Sequence, residues 1–391
     1  MLLKQLIKNL PEEKKNIHIK GLEINSKKVK KGFIFFAIRG QKVNGEKYIS
    51  ESVKNGAKVV ICSKNCDYKN ENLVVIKTKN VRYFLSELAS KFYKLKPKNL
   101  IAVTGTNGKT SVADLYFQIL NLNKIPTASI GTLGVKYKKK TDKSDLTTPD
   151  TLNLHRSLQK IKKNNINNVI IETSSHGLHQ RRLDHLDFKA GIFTNFSQDH
   201  LDYHKTMAKY LNAKLHLFRN VIKKRRAIIC DRTIKEFSLL KRISKKRKLK
   251  LIDSNKIAEK LKKKNALSNL SEFHLKNLSM AIEAAKLNGL REDKIFSSLK
   301  KIKDVNGRLE LIRTFPNNVK VFVDFAHTPD ALEKTLKSLQ NYYAKDISLV
   351  FGCGGDRDFK KRPIMAKIAS INCKKIYVTD DNPRNEDPKK I

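Results

Sequence analysis

The sequence predicts an α/β fold of three domains, of which the central one binds a nucleotide. Its length of 391 residues is the first observation, because a domain takes roughly 150 residues. The second is an apolar run at 101–104, followed by the Gly-rich segment GTNGKT and by a helical pattern over 111–121. Two further apolar runs, 169–172 and 190–194, are of the kind found in buried parallel sheets. A parallel-sheet core of the P-loop type is therefore predicted, with ligands at the carboxyl ends of its strands.

A separate first domain is predicted over residues 1–97. β-like runs at 32–38 and 57–62 lie on either side of a helical stretch over 48–55, which ends at a glycine. Residues 94–99 contain a proline and are predicted to be the linker to the central domain.

The central domain is predicted over 98–304 and a third domain over 305–391. A helix over 330–340 joins the first two of three strands in the third domain, an order typical of a Rossmann-like unit. The predicted strands are 319–324, 347–351 and 375–379.

The chain is strongly basic, with 82 Lys and Arg against 37 Asp and Glu, a formal net charge of +45. Nucleic acid and anionic membranes are the usual partners of such a chain. The excess is almost all Lys and runs through the whole chain, which favours a compositional bias instead. Residues 223–264 hold eighteen basic and four acidic residues but only one aromatic, Phe237, so a solvated helical surface is predicted there and no nucleic-acid partner is expected.

The cysteines and the hydropathy point to the cytoplasm. Five Cys are present, and their spacing supports neither a disulfide framework nor a zinc site. No stretch approaches the about 18 apolar residues of a membrane span, and the first residues lack the apolar core of a signal peptide.

The segment from Gly105 to Thr110 is predicted to bind the phosphates of ATP. A Gly-rich turn between a strand and a helix lets backbone N–H groups surround phosphate oxygens. Lys109 can reach the terminal phosphates, and the Thr110 hydroxyl can bind Mg²⁺. The two glycines, Gly105 and Gly108, are closer together than in the usual P-loop, so a shorter variant of the loop is predicted.

Two further polar segments follow predicted strands of the central domain. Glu172 ends an apolar run, where its carboxylate can hold Mg²⁺ near ATP, while the serines that follow it could equally be a helix cap. His200 and His204 are four residues apart and could share a helix face, but Leu201 stands where a zinc protease has Glu. A role with Mg²⁺ or substrate is therefore favoured. Lys214 is by itself one Lys among many.

Loops after the predicted strands of the third domain carry both Arg and Asp. Arg grips a carboxylate bidentately and Asp or Asn receives an ammonium, so a zwitterionic substrate is predicted. Each loop could instead be a turn with an Asx cap.

In combination these segments resemble the Mur ligase family. The resemblance rests on five stretches: TGTNGKTS at 104–111, ETSSHGL at 172–178, NFSQDHLDYH at 195–204, DFAHTPDAL at 324–332 and GCGGDRD at 352–358. It implies a three-domain architecture and an ATP-dependent amide ligase of peptidoglycan synthesis, which activates a carboxylate as an acyl phosphate. Folylpolyglutamate synthase shares the ATP fold, but it typically has Gly-Lys-Gly where this chain has Gly108, Lys109 and Thr110.

The resemblance also implies the substrates and cofactors. These are ATP, Mg²⁺, UDP-N-acetylmuramoyl-L-alanyl-D-glutamate and meso-2,6-diaminopimelate. Residues 381–384, Asp-Asn-Pro-Arg, resemble the diaminopimelate-type acceptor motif, in which Arg384 grips the distal carboxylate. Lys214 matches the family's carbamylated lysine, a Mg²⁺ ligand. A monomer is expected.

The site residues implied by the resemblance fall into four groups. The catalytic residues are Lys109, Glu172, His200 and Lys214. The ATP-binding residues are Gly105, Thr106, Asn107, Gly108, Lys109, Thr110, Asn277, Arg308 and Asp324. The substrate-binding residues are Ser26, Thr147, Thr148, Ser174, Gln180, Arg182, Arg357, Asp381, Asn382, Pro383 and Arg384. The metal ligands are Thr110, Glu172, His200 and carbamylated Lys214.

Several alternatives remain open at this point. A lysine-adding or polyglutamylating ligase would share the ATP site, and a basic nucleic-acid-binding ATPase would share the phosphate loop. Family members continue for several elements beyond the position of Arg384, so the third domain is expected to be incomplete at Ile391. The segment between Lys214 and Asn277 is also short for the family, and an inactive remnant is a further alternative.

Overall fold

A computed structural model describes residues 1–40, 43–263, 271–343 and 346–391. The first ninety or so residues form a four-stranded parallel sheet, ordered β1-β2-β3-β4, with helices packed on it. Its strands are β1 Gly21–Glu23, β2 Phe33–Phe36, β3 Ala57–Ser63 and β4 Val74–Thr78. Its helices are α1 Leu3–Leu6, α2 Glu12–Lys15, α3 Ile49–Lys54 and α4 Val81–Phe92.

An eight-stranded sheet dominates the middle of the chain, in the order β12-β11-β10-β5-β9-β6-β7-β8. Its strands are β5 Asn99–Thr104, β6 Thr127–Gly131, β7 Gly134–Tyr137, β8 Lys140–Asp142, β9 Asn168–Glu172, β10 Phe188–Phe193, β11 Ala227–Cys230 and β12 Lys250–Asp253. The helices around it are α5 Lys109–Leu122, α6 Thr151–Lys163, α7 Ser175–His179, α8 Leu201–His204, α9 Met207–His216, α10 Phe237–Arg247, α11 Asn255–Lys263, α12 Glu272–Lys286 and α13 Glu292–Ser298.

Strand β5 lies between β9 and β10, and all three run parallel. The chain leaves β5 toward β6 on one side and returns to β10 on the other, so a crevice opens at the carboxyl ends of these strands. Apolar residues cover both faces of the sheet, in two separate clusters. The predicted parallel core is present, and its central helix α5 begins two residues earlier than expected, directly after the N-cap Gly108.

The last part of the chain differs in detail from the sequence prediction. Its elements are β13 Glu310–Thr314, β14 Lys320–Val323, α14 Pro329–Tyr342, β15 Ser348–Phe351, α15 Lys361–Asn372 and β16 Lys375–Val378. Strand β14 pairs antiparallel with β13, which the sequence analysis missed, while β15 and β16 pair in parallel. The half-exposed, charged sequence of β13 offers little apolar signal for a strand.

The Lys-rich segment 223–264 is not only the solvated helical surface that was predicted. Strand β11 is fully buried and pairs with β10, and β12 pairs with β11. Most of the cations are exposed, on α10, on α11 and in the adjoining turns, and Lys264 lies outside the described residues. Within the described ranges, no helix has the length and apolar content to cross a bilayer.

His155 on α6 is buried at the contact between the first sheet region and the central one. Its ring stacks on Tyr93 with centroids 6.1 Å apart, and neither ring nitrogen has a hydrogen-bond partner among the described residues. Burial, helped by the charges of Lys96 and His185, lowers the pKa of His155 from 6.5 to about 3. The neutral ring is therefore the form that the fold accommodates.

Acidification should accordingly destabilise the chain through His155. Between the two pKa values the unfolded chain binds a proton that the folded chain does not, so stability falls as pH falls. One such site costs about 2 kcal/mol between pH 6.5 and pH 5. We expect His155→Phe to show a smaller loss of thermal stability over this range, whereas the exposed His18→Phe should keep the slope of the parent chain. Equal slopes in all three proteins would contradict this role for His155.

Candidate functional site

A cleft of about 330 Å³ lies at the carboxyl ends of the central strands and reaches the loops of the last region. Many of the residues predicted from the sequence line it: Thr106, Asn107, Gly108, Lys109, Thr110, Thr147, Ser174, His200, Lys214, Arg308, Asp324, Arg357, Asp381 and Arg384. The other predicted residues do not line the cleft. These are Ser26, Gly105, Thr148, Glu172, Gln180, Arg182, Asn277, Asn382 and Pro383.

The phosphate loop needs glycine at positions 105 and 108. Gly105 has a φ of +146° and Gly108 a φ of +84°, where side chains are strained. A Cβ on Gly105 would lie 1.8 Å from Oγ1 of Thr194, and one on Gly108 would lie 2.5 Å from Oδ1 of Asn277. The buried Asn277 side chain therefore lies directly against the start of α5, although it does not line the cleft.

Lys109 is folded back over this loop. Its Nζ donates to the carbonyl oxygens of Gly105 at 3.0 Å and Thr106 at 2.6 Å. Burial lowers the pKa of Lys109, and the carboxylates of Glu172 and Asp199 oppose that shift. Both of its bonds are to neutral carbonyls, so an anionic phosphate that entered the loop would be a stronger partner for the ammonium.

The carboxylate of Glu172 lies behind the loop at the end of β9. It accepts hydrogen bonds from Oγ1 of Thr110 at 2.9 Å and from the backbone N of Thr132 at 3.0 Å. Arg308 donates to the same Thr110 hydroxyl at 3.1 Å and so joins the last region of the chain to this group. Burial raises the pKa of Glu172, while the charge of Lys109 opposes that rise.

Lys214 is a fully buried lysine, and among the described residues no carboxylate is bonded to it. Its Nζ donates to the carbonyl oxygen of Gly105 at 2.6 Å and lies 4.4 Å from the ring centre of Tyr210. Burial, with the nearby charge of Lys109, lowers the pKa of Lys214 well below its ordinary value. The uncharged amine, which is the nucleophilic form, is thereby favoured.

Some of the side chains around the phosphate loop can bind a hard cation such as Mg²⁺. The Glu172 carboxylate and the Thr110 hydroxyl are oxygen donors of the kind that Mg²⁺ prefers. Nδ1 of His200 is buried without a hydrogen-bond partner among the described residues, and burial lowers the pKa of this ring to about 3. Across the described part of the chain, no three His, Cys, Asp or Glu side chains form a ready metal cluster.

The spacing of His200 and His204 would allow a shared helix face, but the structure does not place the two residues on one helix. Helix α8 begins at Leu201, and His200 precedes it in the left-handed conformation with a φ of 54°. Both rings instead pack on His176, with centroids 4.8 Å and 5.5 Å from it. Ser175 contacts Nε2 of His204 at 3.0 Å, while Ser174 caps α7, as the helix-cap interpretation predicted.

Asp199 connects the central sheet to the last region. Burial alone would raise the pKa of Asp199, but a hydrogen bond with His327 and the charges of His200, His327 and Lys361 lower it well below its usual range. Its carboxylate lies 3.5 Å from Nε2 of His327 and 3.8 Å from Nζ of Lys361. Lys361 was not predicted from the sequence, where its only signal was its position one turn after the Gly-rich GCGGDRD segment.

Loops of the last region form the opposite wall of the cleft. Arg357, Asp381 and Arg384 line it together, although the first lies 24 residues or more from the others in sequence. Arg384 has a φ of 54° and donates from Nη1 to the carbonyl oxygen of Gly355 at 2.6 Å. The carbonyl of Asn382 accepts from the backbone N of Gly355 at 3.0 Å, so Asn382 supports the loop through its backbone.

Three predicted substrate-binding residues form a second group beside the cleft. Arg182 donates from Nη1 to the carbonyl oxygen of Thr148 and from Nη2 to Oε1 of Gln180 at 2.8 Å. Thr148 in turn contacts Oγ of Ser174 at 3.1 Å, and Ser174 lines the cleft. Ser26 lies elsewhere, in the first region of the chain, where its hydroxyl donates to Oε2 of Glu51 at 2.5 Å.

The cleft thus holds two chemically distinct walls. A phosphate loop with a lysine and a carboxylate can hold a nucleoside triphosphate and a divalent cation. The opposite wall combines two guanidinium groups with a carboxylate, which suits a substrate that carries both carboxylate and ammonium groups. This arrangement permits phosphoryl transfer to a carboxylate followed by attack of an amine.

Sequence models of one family match three parts of the chain. Residues 18–93 match the Mur ligase family catalytic domain, residues 103–289 the Mur ligase middle domain, and residues 307–391 the Mur ligase glutamate ligase domain.

Several similar proteins share one name. The chain is 39% identical to a UDP-N-acetylmuramoyl-L-alanyl-D-glutamate--2,6-diaminopimelate ligase from Rickettsia conorii, with 98% of this chain and 84% of the relative aligned. A solved structure of a ligase with the same name is 27% identical, with a TM-score of 0.74 over 100% of this chain and 84% of that one. A MurF ligase from Thermotoga maritima in complex with ADP is 15% identical, with a TM-score of 0.58 over 94% and 89% of the two chains, and shares the fold.

Proposed function

Because the chain belongs to the Mur ligase family, we propose that it is the ATP-dependent ligase that adds meso-2,6-diaminopimelate to UDP-N-acetylmuramoyl-L-alanyl-D-glutamate in peptidoglycan synthesis. The observation that carries this proposal is the pairing of a phosphate loop with an Arg- and Asp-bearing wall across one cleft. The reaction joins an amine of the amino acid to the γ-carboxylate of the D-glutamyl residue and releases ADP and phosphate.

ATP is proposed to bind along Gly105–Thr110, with its phosphates on the loop and the N-terminus of α5. Lys109 then exchanges its carbonyl partners for phosphate oxygens. Asn277 lies against Gly108 and Arg308 contacts Thr110, so both are placed to border the nucleotide, together with Asp324 in the cleft wall.

Thr110, Glu172 and His200 are proposed to hold Mg²⁺ with Lys214. The cation would neutralise charge on the phosphoryl group that is transferred. Lys214 is proposed to serve as a ligand after its neutral amine has added carbon dioxide and lost a proton, because the resulting carbamate is an anionic oxygen donor. The burial that keeps the Lys214 amine neutral favours this addition, since carbon dioxide reacts with the uncharged amine.

The nucleotide-linked dipeptide is proposed to lie along Thr147, Thr148, Ser174, Gln180 and Arg182, with its uridine near Ser26. Thr147 and Ser174 line the cleft, while Arg182 and Gln180 form the adjoining cationic group. In this position the γ-carboxylate can reach the terminal phosphate of ATP, and the guanidinium can hold a carboxylate that does not react.

Diaminopimelate is proposed to bind the opposite wall, where Arg357, Asp381, Asn382, Pro383 and Arg384 form or support the surface. Arg384 would grip the carboxylate at the end of the molecule that does not react. Lysine has an ammonium group there without that carboxylate, so binding lysine would leave a desolvated guanidinium unpaired, at a cost of about 1–3 kcal/mol or more.

Catalysis then requires positioning and charge neutralisation. The γ-carboxylate attacks the terminal phosphorus of ATP, which gives an acyl phosphate and ADP. The neutral amine of diaminopimelate attacks the acyl carbon, its nitrogen loses a proton to solvent, and the tetrahedral intermediate expels phosphate. Lys109 offsets the charge that develops on the transferred phosphoryl group.

We assign the three domains to 1–97, 98–304 and 305–391, and we propose a cytoplasmic monomer. The first domain would hold the UDP moiety, the second ATP and the third the amino acid.

Phosphate release with a panel of acceptors tests this assignment. With ATP, Mg²⁺ and the nucleotide-linked dipeptide present, we expect meso-diaminopimelate to stimulate release at least about tenfold more than lysine or glutamate. Stimulation by lysine or glutamate alone would identify a different amide ligase. Salt-sensitive stimulation by an oligonucleotide, without any response to the dipeptide, would identify a nucleic-acid-binding ATPase.

A further inference from the structure

Two arginines from different regions of the chain converge on a single amide oxygen. Arg82 on α4 donates from Nη1 to Oε1 of Gln180 at 3.4 Å. Arg182 donates to the same oxygen from Nε at 3.2 Å and from Nη2 at 2.8 Å. The amide nitrogen of Gln180 donates in turn to the hydroxyl of Tyr203 at 3.3 Å. Gln180 is therefore the bridge between the first sheet region and the central one at this point.

The charges of the two guanidinium groups are not balanced by an ion pair among the described residues. Within the described ranges, no Asp or Glu forms an ion pair with Arg82 or Arg182. Burial lowers the pKa of both groups, and the charge of Arg82 lowers that of Arg182 further. Asp150 opposes the shift of Arg182 through its charge, but its carboxylate bonds to the start of α6. Two half-buried cations held side by side without an anion are costly, unless a ligand supplies the missing charge.

Most of the hydrogen-bonding capacity of Arg82 is unused. A guanidinium has five N–H donors in a planar fork, and among the described residues Arg82 uses one of them, in a long bond. The two arginines also lie close to the cleft. Arg182 donates to the carbonyl of Thr148, and Thr148 contacts Ser174 in the cleft wall. The free donors of Arg82 therefore border the place proposed for the nucleotide-linked dipeptide.

We propose that Arg82 and Arg182 form a cradle between the first and central domains that binds an anionic oxygen group of the nucleotide-linked substrate, with Arg82 as a substrate-binding residue. The inference rests on the proposed function, which assigns Arg182 but not Arg82. Guanidinium pairs bind carboxylates and phosphates alike. Two groups of this substrate qualify, the α-carboxylate of the D-glutamyl residue and the diphosphate of the UDP moiety.

Substrate bound in the cradle would also hold the first and central domains together. Other contacts at this junction, such as Ser90 to the carbonyl of His185 at 3.0 Å, involve no ligand. An anion held by Arg82 and Arg182 at once would add a bond that forms only with substrate present. A purely structural Arg82 would instead act through the Gln180 bond alone.

Calorimetry of UDP-N-acetylmuramoyl-L-alanyl-D-glutamate binding to the Arg82→Gln variant distinguishes a substrate-binding Arg82 from a purely structural one. We expect its dissociation constant to rise at least about tenfold, since a bond to a charged group is lost, while the dissociation constant for ATP stays within about twofold of the parent value. Arg82→Lys should recover part of the affinity. The control is Arg181→Gln, whose guanidinium pairs with Asp184 at 3.0 Å and lies over Tyr83 at the same junction. This control should bind the substrate like the parent chain.

A substrate analogue identifies the anionic group. In the analogue the α-carboxylate of the D-glutamyl residue is a carboxamide, and the diphosphate and γ-carboxylate are kept. If Arg82 holds the carboxylate, Arg82→Gln and the parent chain should bind the analogue equally. If it holds the diphosphate, the roughly tenfold ratio should persist. Unchanged affinity of Arg82→Gln for the full substrate, or an equal loss in Arg181→Gln, would overturn the cradle.

The proposed cradle and the proposed reaction can be refuted separately, because substrate binding and turnover are measured in separate assays. The parent chain is assayed beside the variants for amide formation with diaminopimelate, and a chain that binds the nucleotide-linked dipeptide without turning it over would refute the proposed reaction alone. The affinity ratio between Arg82→Gln and the parent chain would still decide the cradle.

Discussion

Replacing Lys109 with alanine should lower ligase turnover by about 10³-fold or more, the largest effect we expect from a single side chain. The ammonium of Lys109 lies over the phosphate loop and is bonded to carbonyls that a phosphate would replace. Without this ammonium, the charge that develops on the transferred phosphoryl group in the transition state is neutralised less than in the parent enzyme. The measurement is the rate of ADP formation with all substrates at saturation.

Lys109→Met is the volume-matched companion to this variant, since it keeps the packing of a buried side chain while removing the charge. It should be as inactive as Lys109→Ala and unfold at a temperature close to that of the parent chain. The exposed Lys256→Ala controls for the loss of one lysine and should keep full activity. A Lys109→Ala protein with every property unchanged would indicate an inactive remnant.

Replacing Lys214 with methionine should remove most activity, by about 10²-fold or more, without destabilising the fold. The amine of Lys214 is fully buried, and its replacement relieves the desolvation cost of a lysine. The carbonyl of Gly105, which accepts a hydrogen bond from Lys214, keeps a bond from Lys109. Activity should therefore fall while thermal stability stays the same or rises, which is the signature of a buried polar group kept for function.

The carbamate itself can be observed. With isotope-labelled bicarbonate, the parent chain should show a carbamate carbon signal by NMR, and Lys214→Met should not. Lys214→Glu supplies a shorter carboxylate at the same place and should recover part of the turnover lost in Lys214→Met. Full activity of Lys214→Met, or an unchanged carbamate signal, would show that this lysine is not a metal ligand.

The parts of the site that lie in one continuous segment could be predicted from the sequence. The turn from Gly105 to Gly108 joins a strand to a helix, so its geometry follows from local rules about glycine and helix N-termini. The end of β9 at Glu172 could be predicted in the same way, because strands of a parallel sheet deliver their carboxyl ends to one edge.

The parts that depend on long-range contacts could not be predicted by local reasoning. Arg82 and Gln180 are 98 residues apart, and nothing in either segment indicates the other. The buried environment of Lys214 is another example, since in sequence it is one lysine among many, and only the resemblance to a family singled it out. The antiparallel pairing of β13 with β14 was missed because the sequence of β13 has no clear alternation of polar and apolar residues.

The mass of the product tests the central claim most directly. The purified chain is incubated with ATP, Mg²⁺, UDP-N-acetylmuramoyl-L-alanyl-D-glutamate and meso-diaminopimelate, with a heavy-oxygen label in the γ-carboxylate. We predict one new nucleotide-linked species, heavier by one diaminopimelyl residue, with equimolar ADP and with the label in the released phosphate. ATP hydrolysis without that species, or phosphate that carries no label, would contradict an amide ligase that works through an acyl phosphate.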